Sequence, residues 1–456
     1  MYLKRCYSYT TPKEVQLQEK AFLALVDFIY HLKLEKEIPF KIYIAIAKTD
    51  RQSLYNLQQD FISYLSNVLD SEIPALTLVC QAPKNGAFLC AEIFCVSQKD
   101  LIESHSKIYF KQFNKLPYIE IQSKTYCELW SSGFQSSYSS NQNTSCKDTH
   151  TISFLSTEQA SIFAFEQMQA LLAYTNFCFD HIFRQWNYIG HILKIHKDKN
   201  KELQNYQIFN EVRERFYSRY KKEKTYPAAT GIGMNYNGIC IDFIACSPIS
   251  KNAQPAETSN SAENFIDYQK SEIYNLPLKS LVQKDAYSYN QQVLIGQSIF
   301  SNIHKKTPLF ERARLWIETK PNGNICMVSG TASIEGEKTI DENNAEKQLI
   351  NTIQFINSLV QPQSVEIALQ VAKNSNPLLQ KKILESTPCF TRIRLYVKPG
   401  FYTELLGNLL KKNYLSTAAI SLVEAEICRN NLLIEIEADL TYKENSSIKE
   451  DSSIAH

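Results

Sequence analysis

The stretch TPLFERARLWIETKPNGNICMVSGTASIEGEK, residues Thr307–Lys338, decides how the chain reads. Side chains alternate across an extended strand, so from Arg312 to Ile317 the apolar Ala313, Leu315 and Ile317 point one way. Arg312, Arg314 and Trp316 point the other. Pro321, Asn322 and Gly323 carry the Asn-Gly hairpin signal, and Ile325 to Ser329 returns as the second strand. Two guanidiniums two residues apart on one strand face lie roughly 7 Å from each other. That span suits a small dicarboxylate, because each arginine offers paired donors in fixed geometry. A solvated strand face is the plain alternative.

At 456 residues the chain is too long for one ordinary core, and two domains are expected. A net charge of +2, from 49 basic and 47 acidic residues, gives no footprint for nucleic acid or an anionic membrane surface. The 12 cysteines are scattered, with no C-x-x-C pair and no Cys/His cluster at zinc spacing. Cys80, Cys90 and Cys95 sit in apolar runs, where a thiol is a small buried hydrophobe, and the set reads as reduced in a cytoplasmic protein. The N-terminus lacks the apolar region of a signal peptide, and no run reaches the roughly 18 apolar residues of a membrane span.

Along the chain, Val15–Leu32 and Leu54–Leu69 read as helices and Ile42–Ala47 as a strand, so residues 1–70 form an extension of the first domain. Leu76–Val96 reads as two strands around a turn at Pro83–Gly86. Ile108–Trp130 continues the sheet, and Ser131–His150 is a polar loop. Ser156 and Gln159 fit a capping box ahead of a helix carrying Phe165, Met168 and Leu172. Arg184, Trp186 and Tyr188 suit an amphipathic strand; Asn210 and Arg213 suit a helix face bracing a domain junction. Gly231-Ile232-Gly233 marks a bend before a strand from Gly238 to Cys246, and Ser247–Asn264 is a polar excursion expected to be disordered. Asp341 is the expected N-cap of a helix whose stripe is Ala345, Leu349, Ile353, Ile356 and Val360. Thr391–Val397 reads as a strand, Phe401–Lys411 as a helix and 443–456 as a disordered tail. Residues 71–224 and 225–442 thus share an order of strands, long helix and further strands, an internal repeat of pattern. In Leu432–Ala438, Glu435 and Glu437 share a face, with Arg429 across a short turn; a surface ion pair is the plain alternative.

Several of these segments, in order, resemble the chorismatase family. They are PLFERARL with VSGTASIEGEK, the Pro83–Gly86 turn, FDHIFRQWNYIGHIL, YQIFNEVRERFY, YPAATGIG and AEICRNNLLIEIEADL. The resemblance spans roughly Leu76 to Leu440. It implies an α+β chain of two RidA/YjgF-like (chorismate mutase-like) domains, each a mixed sheet with helices on one face, the C-terminal one catalytic. It implies cleavage of the enolpyruvyl ether of chorismate to pyruvate and a hydroxybenzoate, 3-hydroxybenzoate being the family's commoner product, with neither metal nor organic cofactor. A monomer or a RidA-like homo-oligomer is expected, with a small molecule as partner.

The resemblance makes Arg312 and Arg429 the carboxylate clamps, with Arg314 beside them and Tyr226, which opens YPAATGIG, a further substrate-binding position. Thr331 lies where pocket size biases the product. Cleaving the ether also needs an acid for the enol methylene, a carboxyl whose proton is held by burial being one form of it. In many family members S-I-x-G continues with His-Glu, and that glutamate is taken as the acid. Here Gly336-Glu337-Lys338 puts Glu337 at the histidine position and Lys338 at the glutamate position, and a one-residue displacement turns a side chain to the opposite face. Either a bulge brings Glu337 round or Glu435 serves. Two other readings stay open: a RidA-type imine or enamine deaminase using Arg429 and Glu435, and a non-catalytic protein that binds a small carboxylate or a partner.

Overall fold

One strand order occurs three times. A computed structural model describes residues 4–47, 53–70, 72–136, 156–198, 201–223, 225–249, 273–300, 304–318, 323–372, 381, 384–413 and 418–444. The first unit comprises β1 (Lys4–Thr10), α1 (Gln18–Leu34), β2 (Glu37–Ile46), α2 (Leu54–Leu69), β3 (Ala75–Cys80), the short β4 (Ala82–Pro83), β5 (Leu89–Ser97) and the short α3 (Gln98–Glu103). The second comprises β6 (Lys107–Phe113), β7 (Leu116–Gln122), β8 (Tyr126–Trp130), β9 (Phe134–Gln135), α4 (Thr157–Tyr174), β10 (Ile182–Gly190), β11 (Ile195–Asp198), β12 (Lys201–Gln204), α5 (Asn205–Tyr220), β13 (Ala228–Met234) and β14 (Ile239–Pro248). The third comprises β15 (Ile273–Leu278), β16 (Ala313–Glu318), β17 (Gly323–Ala332), β18 (Ile334–Glu335), β19 (Lys338–Thr339), α6 (Ala345–Leu359), α7 (Pro362–Val371), β20 (Ser386–Val397), α8 (Glu404–Asn413), β21 (Ala419–Glu424) and β22 (Ile434–Glu444).

The third sheet runs β15-β16-β17-β22-β20-β21, and the second runs β6-β7-β8-β14-β10-β13. The first, β1-β5-β2-β3, is the same order without its two outer strands. In each, the last strand is antiparallel to both neighbours, and the pairs β2-β3, β10-β13 and β20-β21 are parallel. The mixed α+β class is as expected. The expected division into two halves becomes three units, and the boundary drawn at residue 70 falls between α2 and β3, inside the first.

Each sheet has one face under helices. In α2, Ser53 caps the first turn by accepting from the Asn56 N–H, and Leu54, Leu57, Phe61, Leu65 and Leu69 recur at helical spacing and are buried. Ser156 and Gln159 form the capping box foreseen for α4. The N-cap of α6 is Asn344 rather than Asp341, which sits at φ +52° and instead accepts from the Asn351 amide. Leu76–Val96 is not a hairpin: β2 lies between β3 and β5 and pairs with both, while β4 crosses to β21 of the third sheet. Alternation shows that a segment is a strand, not which strand is its neighbour. The hairpin of β16 and β17 is present as expected, though Pro321 and Asn322 lie outside the described residues. So do 137–155, 250–272 and 445–456, which hold most of the two polar segments and the tail.

The other faces of the three sheets meet, and one apolar cluster includes Tyr43 from the first unit, Trp186 and Tyr188 from the second and Trp316 and Tyr396 from the third. Within it runs a closed ring of ions. Tyr43, Trp186 and Arg394 occupy the same register position in their sheets, facing Glu92, Asp242 and Glu437 on one side and Thr77, Thr230 and Ser421 on the other. Each carboxylate is paired by the next unit. Glu437 meets Arg184 at 2.8 Å and the Thr230 hydroxyl at 2.6 Å. Asp242 meets Lys41 and the Thr77 hydroxyl, both at 2.7 Å, and Glu92 meets Arg392 at 3.3 Å and the Ser421 hydroxyl. Lys41, Arg184 and Arg392 each stand two residues before the shared register position. The ring therefore orders the three units around one centre inside a single chain.

Candidate active site

Two residues before each ring carboxylate, the same side of the strand carries Glu435 in the third unit, Cys240 in the second and Cys90 in the first. At this position an acid stands only in the third. It lies where the third unit faces the second, and space for it comes from β17. Between Val328 and Thr331 the pairing of β17 with β22 shifts register, a bulge that carries Gly330 past Glu435. A Cβ on Gly330 would stand 2.0 Å from Glu435 Oε1, so no other residue fits there without moving the acid. Gly133 is in the same relation to Cys240, where a Cβ would stand 2.7 Å from Sγ.

Glu435, Arg312 and Arg429 line one pocket. Its opposite wall is α5 of the second unit, with Tyr206, Gln207 and Asn210, and Phe310 and Leu294 give it apolar sides. The Tyr289 ring lies between the arginines, 5.8 Å from the guanidinium carbon of Arg312 and 5.3 Å from that of Arg429. Arg312 Nη2 donates to the Tyr289 hydroxyl at 2.7 Å, and Arg429 Nη1 donates to the Glu337 carbonyl at 2.8 Å. Arg312 is buried, yet its Nε has no hydrogen-bond partner, and the same holds for Asn210 Oδ1. A buried donor and a buried acceptor facing one cavity are groups that a polar ligand would satisfy.

Among the described residues none donates a hydrogen bond to the Glu435 carboxyl. Burial, then the negative charge of Glu437, raises its pKa to about 8 against the opposing pull of Arg184 and Arg312. Glu437 behaves oppositely: burial pushes its pKa up, but Arg394, Arg184 and Arg392 outweigh that and hold it well below the usual carboxylate range. Two carboxyls two residues apart are thus driven to different charge states. At neutral pH one is a buried acid with a proton to give.

The second unit's sheet matches the family model "Chorismatase FkbO/Hyg5-like, N-terminal" over residues 128–245. The chain is also 22% identical over 285 residues to the 3-hydroxybenzoate synthase of Streptomyces hygroscopicus, covering 62% of this chain and 68% of that protein. A crystal structure of a chorismatase superposes with a TM-score of 0.58 at 14% identity, covering 96% of this chain and 98% of that one.

The chain is similar to chorismatases in its fold and, by family model, over residues 128–245.

Of the site residues expected for a chorismatase, the structure brings Arg312, Arg429 and Glu435 into one pocket and leaves the others outside its lining. Arg314 does share a strand face with Arg312, but its Nε donates to the Asn275 side chain of β15 at 2.9 Å. The pair of guanidiniums on one strand is therefore replaced by one from β16's start and one from the turn before β22. Thr331 is buried and turns its hydroxyl to the Ser329 carbonyl at 2.9 Å; the flanking Gly330 and Ala332 face the pocket instead. Tyr226 stacks on Tyr217, with ring centroids 6.0 Å apart. The Glu337 carboxylate faces Lys284 and Asn290, and the Asn290 N–H foremost holds its pKa below the ordinary value. It is ionised and engaged, not a proton store.

Tyr289 and Asn210 are among the pocket residues that sequence reasoning missed. Tyr289 sits in an irregular segment without periodicity. Asn210 lies in the Y-x-x-F-N match, and only the packing of α5 against the third unit turns its role from brace to pocket wall. Among the described residues no helix is long and apolar enough to cross a membrane.

Proposed function

We propose that this protein cleaves the enolpyruvyl ether of chorismate, with Glu435 as general acid and Arg312 and Arg429 as clamps for the two carboxylates. The observation that carries the reading is a buried carboxyl, its pKa raised by that burial, in the same pocket as two arginines. Glu435 gives its proton to the methylene carbon, leaving positive charge on the ether carbon and its oxygen. Water adds there and the hemiketal collapses to pyruvate and a dihydroxycyclohexadiene carboxylate. Alternatively, displacement within the ring releases pyruvate and leaves a hydroxybenzoate, and the 22% identical relative makes 3-hydroxybenzoate the product to look for first. The carboxylate that Glu435 becomes is stabilised by the nearby guanidiniums, and its negative charge in turn stabilises the positive charge on the ether carbon.

The three units support a RidA-type reading of the fold in which a trimer's ring is closed within one chain, and this favours a monomer. A deaminase of that type would use Arg429 and Glu435. The inward-facing Arg312, with its unsatisfied Nε, favours a second anionic group on the ligand and hence chorismate.

Arg312→Lys and Arg429→Lys each keep the charge and lose the paired donors, so each is expected to raise KM for chorismate about 10- to 100-fold. Pyruvate release in steady state measures this, and chromatography of the aromatic product names the subtype. An unchanged KM in both variants would remove the clamps from the account.

A further inference from the structure

Glu337 is outside the pocket, yet every bond it makes leads to the two arginines. Its carboxylate accepts from the Asn290 main-chain N–H at 3.0 Å, from the Asn290 side-chain amide, and from Lys284 Nζ at 3.2 Å. Its own carbonyl accepts from Arg429 Nη1 at 2.8 Å. The segment it grips, 284–290, returns to Arg312 twice: the Lys284 carbonyl accepts from Arg312 Nη2 at 2.5 Å, and the Tyr289 hydroxyl accepts from the same nitrogen at 2.7 Å. The Tyr289 ring also lies against Arg429. Gly336, at φ +57°, lets the chain turn so that its N–H reaches the Val282 carbonyl and its carbonyl takes the Lys284 N–H, both at 2.8 Å.

The middle of the segment is held separately, through Tyr287, whose hydroxyl meets Lys279 and Asp285, whose carbonyl accepts from Thr307 and whose ring packs on Tyr226. Its two ends, Lys284 and Asn290, are the parts that Glu337 grips, and its regular structure is one short turn, Ala286–Ser288. A stretch with so little regular structure opens locally unless polar bonds pin it.

We infer that Glu337 is a positioning residue: its carboxylate clasps segment 284–290, and through that segment fixes Arg312 and Arg429. The clasp rests on the reading of those arginines as ligand clamps, not on which acid protonates the substrate. It also gives the Glu337-Lys338 departure a role of its own.

The test compares the full-length protein with its Glu337→Ala variant in two ways. Hydrogen–deuterium exchange without ligand should show faster exchange at 284–290 in the variant, with the ring strands unchanged. Steady-state pyruvate release from chorismate should show KM raised about tenfold, with kcat within about threefold and the alkaline limb set by Glu435 in place. Lys284→Met removes one link only and should loosen the same segment less; it serves if Glu337→Ala does not fold. Unchanged exchange overturns the clasp, and so does faster exchange with unchanged KM. A kcat loss with unchanged exchange would make Glu337 the acid. If the wild-type protein releases no pyruvate, the chorismate reading fails, while exchange at 284–290 still decides the clasp.

Discussion

Glu435→Gln is expected to lower kcat for pyruvate release by about 10²- to 10⁴-fold while leaving KM within a few-fold, because it removes the proton donor and keeps the shape. The wild-type pH profile follows from the same group. The acid must be protonated in the free enzyme, so kcat/KM is level below pH 8 and falls as pH rises through about 8. The residual activity of the variant has no such limb.

Stability depends on the same carboxyl. The carboxyl's pKa rises from an ordinary value of 4.5 to about 8 on folding. The folded state therefore holds more protons than the unfolded state between those values, and stability falls as pH rises through that window. At 1.36 kcal/mol per unit this amounts to something on the order of 5 kcal/mol. Glu435→Gln, which mimics the neutral acid, should match wild type near pH 4 and exceed it at pH 9. Urea unfolding at the two pH values measures it; equal stability at both would mean the carboxyl is not held neutral. Loss of activity with gain of stability at alkaline pH is the signature of a buried catalytic acid, and a merely structural glutamate would not give it.

Glu92→Gln is expected to cost about 3–5 kcal/mol of stability, the range for removing one partner of a buried ion pair. Glu92 accepts from Arg394 Nε at 2.8 Å and from Arg392 Nη1 at 3.3 Å, and it joins the first unit to the third. Losing its charge leaves the buried Arg394 with Glu437 alone, at 3.1 Å, while Arg392 keeps Asp439 and Glu437. Burial pushes the Glu92 pKa up, but Arg394 and Arg392 outweigh that and the net shift is downward. A depressed folded pKa gives stability that is present above the unfolded value and lost as pH falls below it. Wild type should therefore lose stability in acid while Glu92→Gln, already without the charge, changes less. A variant as stable as wild type at pH 7 would show that the ring does not hold the units together.

How much of this was legible varies with the kind of contact. The alternation from Arg312 to Ile317 is borne out: Ala313, Leu315 and Ile317 lie in the core under α6, and Trp316 lies in the cluster between sheets. Alternation could not show that β15 lies beside β16 and occupies Arg314 through Asn275. Nor could it show a bulge at Ser329–Gly330, which turns Thr331 away and makes room for Glu435. The first 70 residues displayed their helices and a strand but not their kinship, because equivalence with the other units lies in strand order and register rather than in letters. The ring was similarly hidden, since Glu92, Asp242 and Glu437 lie far apart in sequence and meet residues of other units. Arg312, Arg429 and Glu435 came from family wording. Their convergence on one pocket is what the structure adds.

The most direct test of the account is chorismate turnover in deuterated water, quenched after few turnovers. Protonation of the methylene by an acid in exchange with solvent predicts pyruvate with one deuterium in its methyl group, formed by the wild-type protein and nearly absent with Glu435→Gln. Pyruvate without deuterium, or formed equally fast by the variant, would contradict it.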